Sequence, residues 1–520
     1  MLLCLALAAT AAATVYNAQP KLVVIVIIDQ FRADYLERSH DQFGPGGFRL
    51  LTDRGAYFTD CNFDYANTET APGHATLLTG AYSNGHGIIG NNWWDPATRR
   101  MITPVDDTAT RMLPDGGPGA SPRLLLADTL GDEMKLASQG KSRVFAISLK
   151  ARAAVLPGGF AADAAYWIEP AGGHWQSSTF YMSALPAWVQ QYNAANPEQK
   201  YWNRDWKDAA GNLLRRTTKA EHAAFYDVVG ATPFANDYEL DFARELIAQQ
   251  KLGQGPATDL LVVSLSANDI LGHAVGPDSP QTEAMALALD RQLSDFFSFL
   301  GQQLGLANVW IALSADHGVS PVPAVANKFR IPGQVVNAGA IRKQVNAALT
   351  AKFSPGKPAD YVRVLGGAHA FLNEDAFAAL HVNEADAERA AGEALVQAGM
   401  RGYFTRAQLA RGDVPPDALG RQYLHSYSPY PGWFVLAVPP PYTFPLWPGG
   451  ATTHGSPYSY DTHVPLAFFG LAFQPGVYRG RCEPVDMVAT LASLLGINAP
   501  NHAHGRVLTR ALRQPGGSEQ

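Results

Sequence analysis

Cysteine is scarce in this chain: Cys4, Cys61 and Cys482 are the only three in 520 residues. Cys4 falls in an N-terminal stretch expected to be removed. That leaves at most one disulfide, between Cys61 and Cys482, with two separate buried thiols as the alternative. Charge is sparse as well: 17% of residues are charged, the net charge is −6, and there is no long basic run. Nucleic acid is therefore not expected as the main partner, because phosphate-backbone binding relies on clustered Lys and Arg. The apolar stretch at residues 2–13 is too short to cross a bilayer as a helix. It ends in Ala11-Ala12-Ala13 and reads as a signal peptide spanning 1–13, although no Lys or Arg directly follows Met1. The mature protein is thus expected in the periplasm or outside the cell, without a stable membrane anchor. No lipobox-like residues precede Cys4, and no internal repeat is visible.

What remains is enough chain to bury a large core, as one big domain with insertions or as two domains. Residues 21–150 alternate apolar strands with helical stretches. This is the texture of an α/β fold with a central, mostly parallel sheet flanked by helices. From about 158 to 236 Trp, Tyr, Gly and Pro become frequent and periodicity fades, which suggests an inserted cap or lid. A second insertion is expected at about 320–450, with an Ala-rich helix at 384–399. The α/β domain as a whole should span 21–500. Residues 282–304 carry Met285, Leu289, Leu293, Phe296, Leu300 and Leu304 on one helical face, a core stripe. A strand at 464–470 and a short helix at 485–495 close the domain, and 514–520 read as a disordered tail.

The chemistry concentrates where apolar strands run out. Leu22–Ile28 is seven apolar residues ending at Asp29. The run 260–266 is followed by Asp269 and, four residues on, His273. The run 309–313 leads into Asp316 and His317, and His463 lies in a Tyr-Asp-Thr-His segment. In open α/β sheets ligands gather beyond the carboxyl ends of the strands. Asp269 and His273 share one helical face. Three carboxylates and three imidazoles suffice for two metal ions with open positions, and zinc takes that N/O mixture. His463 precedes its strand, so its loop has to reach across. Any one of these residues alone reads as a turn, a cap or a bystander; the combination carries the signal.

Asn67-Thr68-Glu69-Thr70-Ala71-Pro72-Gly73-His74 supplies a nucleophile candidate. Thr70 precedes a helix-like run at 75–78, where free N–H groups and the helix dipole favour an anionic oxygen. Metal contact would convert its hydroxyl into an alkoxide. Thr68 reads as a cap or wall residue. Asn91 and the pair Lys150 and Arg152, after the apolar run 143–149, offer an amide and two cations.

Asp29, Thr70-Ala-Pro-Gly-His74, Asn91 in Gly-Asn-Asn-Trp-Trp-Asp, Lys150-Ala-Arg152, Asp269-x-x-x-His273, Asp316-His317-Gly and Tyr-Asp-Thr-His463 together resemble the alkaline phosphatase superfamily. Within it they resemble the PafA-like bacterial alkaline phosphatases with a threonine nucleophile, related to type I phosphodiesterases and nucleotide pyrophosphatases. The resemblance spans 22–495. It implies a phosphomonoesterase with two Zn2+, working through a phosphothreonine and releasing inorganic phosphate. It also implies one zinc on Asp269, His273 and His463 and another on Asp29, Asp316 and His317. Thr70 is then a metal-contacting nucleophile, and Asn91, Lys150 and Arg152 hold the phosphoryl oxygens. His74 and His454 are not assigned as ligands.

The nearest rival is a nucleotide pyrophosphatase/phosphodiesterase of the same superfamily. A sulfatase is disfavoured because no Cys-x-Pro-x-Arg occurs. A non-catalytic extracellular binding protein stabilised by metals is the alternative from another class. Trp93, Trp94, Trp167, Trp175, Phe180 and Tyr181 are candidates for a pocket wall. Because a monoester dianion carries more terminal charge than a diester, Lys150→Ala and Arg152→Ala should each lose far more monoesterase than diesterase activity. Steady-state kinetics on an aryl monoester and an aryl diester decide this, and equal losses on both refute the role.

Overall fold

The computed structural model describes residues 19–446 and 449–513. The expected signal peptide and the expected disordered tail therefore lie outside the described residues. The architecture is α/β, built on one mixed sheet of eleven strands with a parallel centre. In chain order these strands are β1 (Leu22–Ile28), β2 (Ala56–Asn62), β3 (Asp106–Leu113), β4 (Pro118–Ala120), β5 (Val144–Ser148), β6 (Ala164–Ile168), β7 (Trp175–Ser178), β8 (Asp259–Leu265), β9 (Val309–Ser314), β10 (His463–Phe469) and β11 (Gly476–Tyr478). Their spatial order is β11-β2-β10-β9-β1-β8-β5-β6-β7-β3-β4.

The five central strands, β9 to β6 in that order, are all parallel. A parallel strand with helices on both faces has no solvent side. This is why β1 reads Leu-Val-Val-Ile-Val-Ile-Ile without alternation and is wholly buried. Register does the rest: Ile28 pairs with Leu265 and Ile27 with Ser314. The carboxyl ends of β1, β8 and β9 therefore finish side by side.

The apolar stripe at 282–304 forms a helix, Pro280–Leu304, with Pro280 in the first turn and the Ser279 side chain accepting from Thr282 N–H. Its stripe residues are buried except Leu304, which is half-buried. The stretch 158–236 is only partly separate from the sheet, because it contributes β6 and β7. Its aromatics are mostly packing: Trp175 stacks on Phe242 at 3.9 Å, and Trp188 and Tyr192 close around the same ring. Within the second insertion, strands Val362–Gly366, His369–Leu372, Gly402–Thr405 and Phe434–Val438 form a separate antiparallel sheet. With helices Ala338–Phe353 and Glu384–Gln397 it encloses its own apolar cluster, including Val345, Leu349, Tyr361 and Phe377.

Cys61 and Cys482 sit side by side in a parallel bridge, both buried and both free thiols. Burial pushes the Cys61 thiol well above its ordinary value, with the adjacent Cys482 adding to it.

The second insertion is pinned to the sheet domain at Asp64. Its carboxylate accepts from Arg421 Nε at 2.5 Å and Nη2 at 3.1 Å, and His425 Nδ1 lies 3.3 Å away. Burial alone would raise the Asp64 pKa, but His425 and Arg421 outweigh it and hold the carboxyl below its usual range. A depressed folded-state pKa gives stability that is present above the unfolded value of about 4 and is lost as pH falls through the folded one. Asp64→Asn should therefore cost on the order of 1 kcal/mol at neutral pH, a modest figure because Arg421 is half-exposed. Denaturant titrations of both proteins should show the difference shrinking as the solution is acidified through the carboxylate range.

Candidate active site

The strand ends deliver the aspartates. Asp29 continues β1 and donates its N–H to Leu265 O at 3.1 Å. The next residue, Gln30, turns into the left-handed region at φ +62°. That turn lets one residue serve both halves of the site. Gln30 N–H donates to Asp316 Oδ1 at 3.0 Å, and its side-chain Nε2 donates to Asp269 Oδ1 at 2.7 Å. Asn268 Nδ2 holds the turn by donating to the carbonyls of Asp29 and Gln30. Asp269 and His273 lie on helix Ala267–Val275, one turn apart, with His273 Nε2 3.1 Å from Asp269 Oδ1.

Two clusters result. Asp29, Asp316 and His317 form one; Asp269, His273 and His454 form the other, with donor atoms in each within 4.8 Å of one another. The third residue of the second cluster is His454, not His463, which corrects the sequence-based ligand set. His463 opens β10, pairs with Asn62 of β2, and its Nε2 donates to Thr59 O at 2.9 Å. A ring committed to a backbone carbonyl of β2 through that nitrogen does not offer it to the cluster. His454 reaches in from the loop that returns from the second insertion. Its ring stacks on His317 at 3.7 Å between centroids.

The donor chemistry fits divalent cations. His273, His317 and His454 each place Nδ1 on a backbone carbonyl: Thr452 at 3.0 Å, Gly318 at 2.9 Å and Thr68 at 2.7 Å. A carbonyl can only accept, so Nδ1 carries the proton and Nε2 turns its lone pair inward, the arrangement that orients metal-ligating histidines. Asp29 Oδ1, Asp316 Oδ2, His317 Nε2 and Thr70 Oγ1 are buried and have no hydrogen-bond partner. Three carboxylates meet one ammonium here, since Lys150 Nζ lies 2.5 Å from both Asp29 Oδ2 and Asp269 Oδ2. Buried negative charge in such excess calls for cations.

The pKa directions follow from the same crowding. Burial, then repulsion from Asp269 and Asp316, raises the Asp29 carboxyl well above its usual value. Burial opposes ionisation of Asp269 too, but Lys150 and His273 override it and hold that carboxyl low. Burial opposes the Lys150 charge, and Asp269 and Asp29 overcome it, keeping the ammonium protonated. Burial keeps His317 and His454 neutral.

Thr70 is the first residue of helix Thr70–Thr79, with Glu69 as the N-cap residue, and its side chain is almost wholly buried. This helix packs directly on Asp316. A Cβ at Gly73 would meet Asp316 O at 2.2 Å, so only glycine permits the approach. His74 donates from Nδ1 to Thr70 O at 2.8 Å and accepts at Nε2 from Ser264 Oγ at 2.7 Å. Asn91 is gripped twice: its N–H donates to Glu69 Oε2 at 2.8 Å, and its Oδ1 accepts from Ala71 N–H at 3.0 Å, which leaves the amide NH2 to point elsewhere. Arg152 lies on helix Ala151–Gly158, with its Nε buried and without a partner.

A cavity of about 500 Å³ adjoins the site, lined on one side by Glu69, Asn91, His273 and His454. None of the six aromatics proposed from sequence for a pocket wall lines it. Sequence reasoning also missed Gln30 and Glu69, which are neutral or unremarkable in a linear reading. For His454 the Thr-Thr-His-Gly segment was visible, but nothing local ranked it above His463.

The model of the family described as type I phosphodiesterase / nucleotide pyrophosphatase matches residues 23–401. The chain is 33% identical, over 95% of each sequence, to a protein of Myroides odoratus named a calcium-transporting ATPase. It is 32% identical to alkaline phosphatase PhoV of Synechococcus elongatus, over 95% of this chain and 94% of that one. The crystal structure of wild-type alkaline phosphatase PafA superposes with a TM-score of 0.85 at 27% identity, over 95% of this chain and 99% of that one. Murine ectonucleotide pyrophosphatase / phosphodiesterase 5 shares the fold at a TM-score of 0.56 and 15% identity, covering 95% and 100%.

The two histidines can be told apart directly. Divalent-cation titration against a competing chelator should show His454→Ala weakening one site by ~100-fold or more, beyond what loss of a ligand-orienting group costs. His463→Ala should leave both affinities within a few-fold of the parent.

Proposed function

The chain belongs to the type I phosphodiesterase / nucleotide pyrophosphatase family and, within the alkaline phosphatase superfamily, to the PafA/PhoV-like alkaline phosphatases, and on that basis we propose that it hydrolyses phosphate monoesters through a phosphothreonine at Thr70. The observation that carries this reading is a cluster of buried, unpartnered atoms, Asp29 Oδ1, Asp316 Oδ2 and His317 Nε2, against which packs the helix that opens with Thr70, whose Oγ1 is also buried and unpartnered. Two Zn2+ are the proposed cofactors, one on Asp29, Asp316 and His317 and the other on Asp269, His273 and His454, a mixed carboxylate–imidazole set suited to that ion. When bound, two such cations stabilise the attacking and the leaving oxygens of an in-line displacement.

The chain's own groups do the remainder. Thr70 Oγ1 attacks phosphorus while the ester P–O bond breaks and the alcohol leaves. Water then attacks the phosphothreonine from the side the alcohol vacated, releasing inorganic phosphate and restoring the hydroxyl. The Asn91 NH2, the Lys150 ammonium and the Arg152 guanidinium hold the non-bridging oxygens, where their positive charge favours a dianion. A crystal structure of a PafA variant with a threonine, an asparagine, a lysine and an arginine replaced together has the same Thr-to-Asn and Lys-to-Arg spacings as Thr70, Asn91, Lys150 and Arg152. The matching spacings support placing Thr70, Asn91, Lys150 and Arg152 in one site.

The diesterase reading is weaker because a diester uses fewer of these cations. The transport name of one relative finds no counterpart in the described residues, where no helix is long and apolar enough to cross a membrane. A periplasmic or secreted location and small phosphate monoesters as substrates complete the proposal, with the segments about 158–236 and 320–450 shaping access to the site.

Thr70→Ala should reduce turnover of an aryl phosphate monoester by at least ~1000-fold, the scale of losing a nucleophile. Chelation should abolish native turnover and added Zn2+ should restore it. Acid quench of the native protein with ³²P-labelled substrate should trap label on Thr70. Unchanged turnover in the variant, or label elsewhere, defeats the mechanism.

A further inference from the structure

The cavity beside the site has two unlike walls. The wall nearest the clusters is polar, with Asn91, His273 and His454. The second insertion contributes apolar lining: Val336, Ile341, Leu365, Met400, Phe444 and Leu446. Among the described residues that line the cavity there is no Lys or Arg, while two acidic side chains, Glu69 and Asp461, line the same space. His369 also lines it, and burial lowers its pKa to about 4, so its ring is neutral.

Direction of attack connects this cavity to the reaction. Helix Thr70–Thr79 packs on the Asp316 side of the site, where Gly73 abuts Asp316 and His74 Nδ1 lies 3.2 Å from Asp316 Oδ2. An in-line displacement places the leaving oxygen opposite the attacking one. The other half of the site is the Asp269, His273 and His454 cluster, joined to Asp29 through Lys150, and both of its histidines line the cavity. An ester held with its phosphorus in front of Thr70 therefore directs its alcohol portion into the cavity and against the insertion's apolar wall.

We infer that this cavity is a leaving-group subsite, and that it selects monoesters of apolar, ring-bearing alcohols over esters of small or polyhydroxy alcohols and of alcohols carrying further anionic groups. The inference rests on the phosphomonoesterase reading above. Its volume, about 500 Å³, is in the ordinary range for small-molecule sites. Apolar lining rewards a ring by removing its surface from water. The absence of a cation beyond the phosphoryl position, together with two acidic neighbours, leaves a second phosphate or carboxylate without a partner.

The test uses the full chain loaded with zinc and compares benzyl phosphate, methyl phosphate and glycerol 3-phosphate. Benzyl and methyl alcohol are of similar basicity, so their difference reports contacts of the alcohol and not its quality as a leaving group. The expected kcat/KM for benzyl phosphate exceeds those of the other two on the order of tenfold or more. In Leu365→Glu and Phe444→Asn the benzyl-to-methyl ratio should fall toward unity, a ratio that does not depend on how much of each variant is folded. Turnover of all three esters with equal kcat/KM overturns the subsite while leaving the phosphatase reading in place. No turnover of any of them overturns that reading, and the subsite with it.

Discussion

The site is organised around a concentration of buried negative charge. Asp29, Asp269 and Asp316 are brought together where three parallel strands end, and Lys150 is the one ammonium set between two of them. Removing carboxylates from water costs several kcal/mol each unless something compensates. The compensation built into the chain is incomplete, and every neighbouring detail is consistent with that deficit. Three imidazoles turn lone pairs inward, and several oxygens lack a donor.

Rigidity is what makes the arrangement useful. Gln30 links the two clusters through one residue, backbone to Asp316 and side chain to Asp269. Helix Thr70–Thr79 is locked to Asp316 through Gly73 and His74, so the position of Thr70, the proposed nucleophile, is tied to that of the neighbouring cluster. Asn91 is fixed from both ends by Glu69 and Ala71. Groups that are already placed lose no orientation freedom when substrate arrives, which is where positional catalysis gains.

The insertions have unequal roles. Much of the aromatic-rich stretch 158–236 is ordinary structure, since it supplies two strands and a ring cluster that covers the sheet. The second insertion has its own small core, is pinned at Asp64, and returns to the site with both His454 and the apolar wall of the cavity. The strand ends thus supply most of the clustered side chains, and the excursion between β9 and β10 adds His454 and the apolar lining of the cavity.

Much of this was legible in the linear chain. Unbroken apolar runs such as 22–28 can be satisfied only between two helix layers, and the residues that follow them must emerge at one edge of the sheet, so Asp29, Asp269 and Asp316 were placed by local pattern alone. His273 followed from one helical turn, and Thr70 from the helix after it. The choice between His454 and His463 was of another kind. His454 lies before β10 and His463 at its first residue, and only the return path of the second insertion, with the pairing of His463 to β2, separates them. The sequence by itself determined which residues terminate the strands, because the length of an apolar run is a local property. Tertiary structure alone decided the third imidazole, the bridging role of Gln30 and the apolar lining of the cavity, because those depend on where long loops come back to, and no neighbouring residue encodes that.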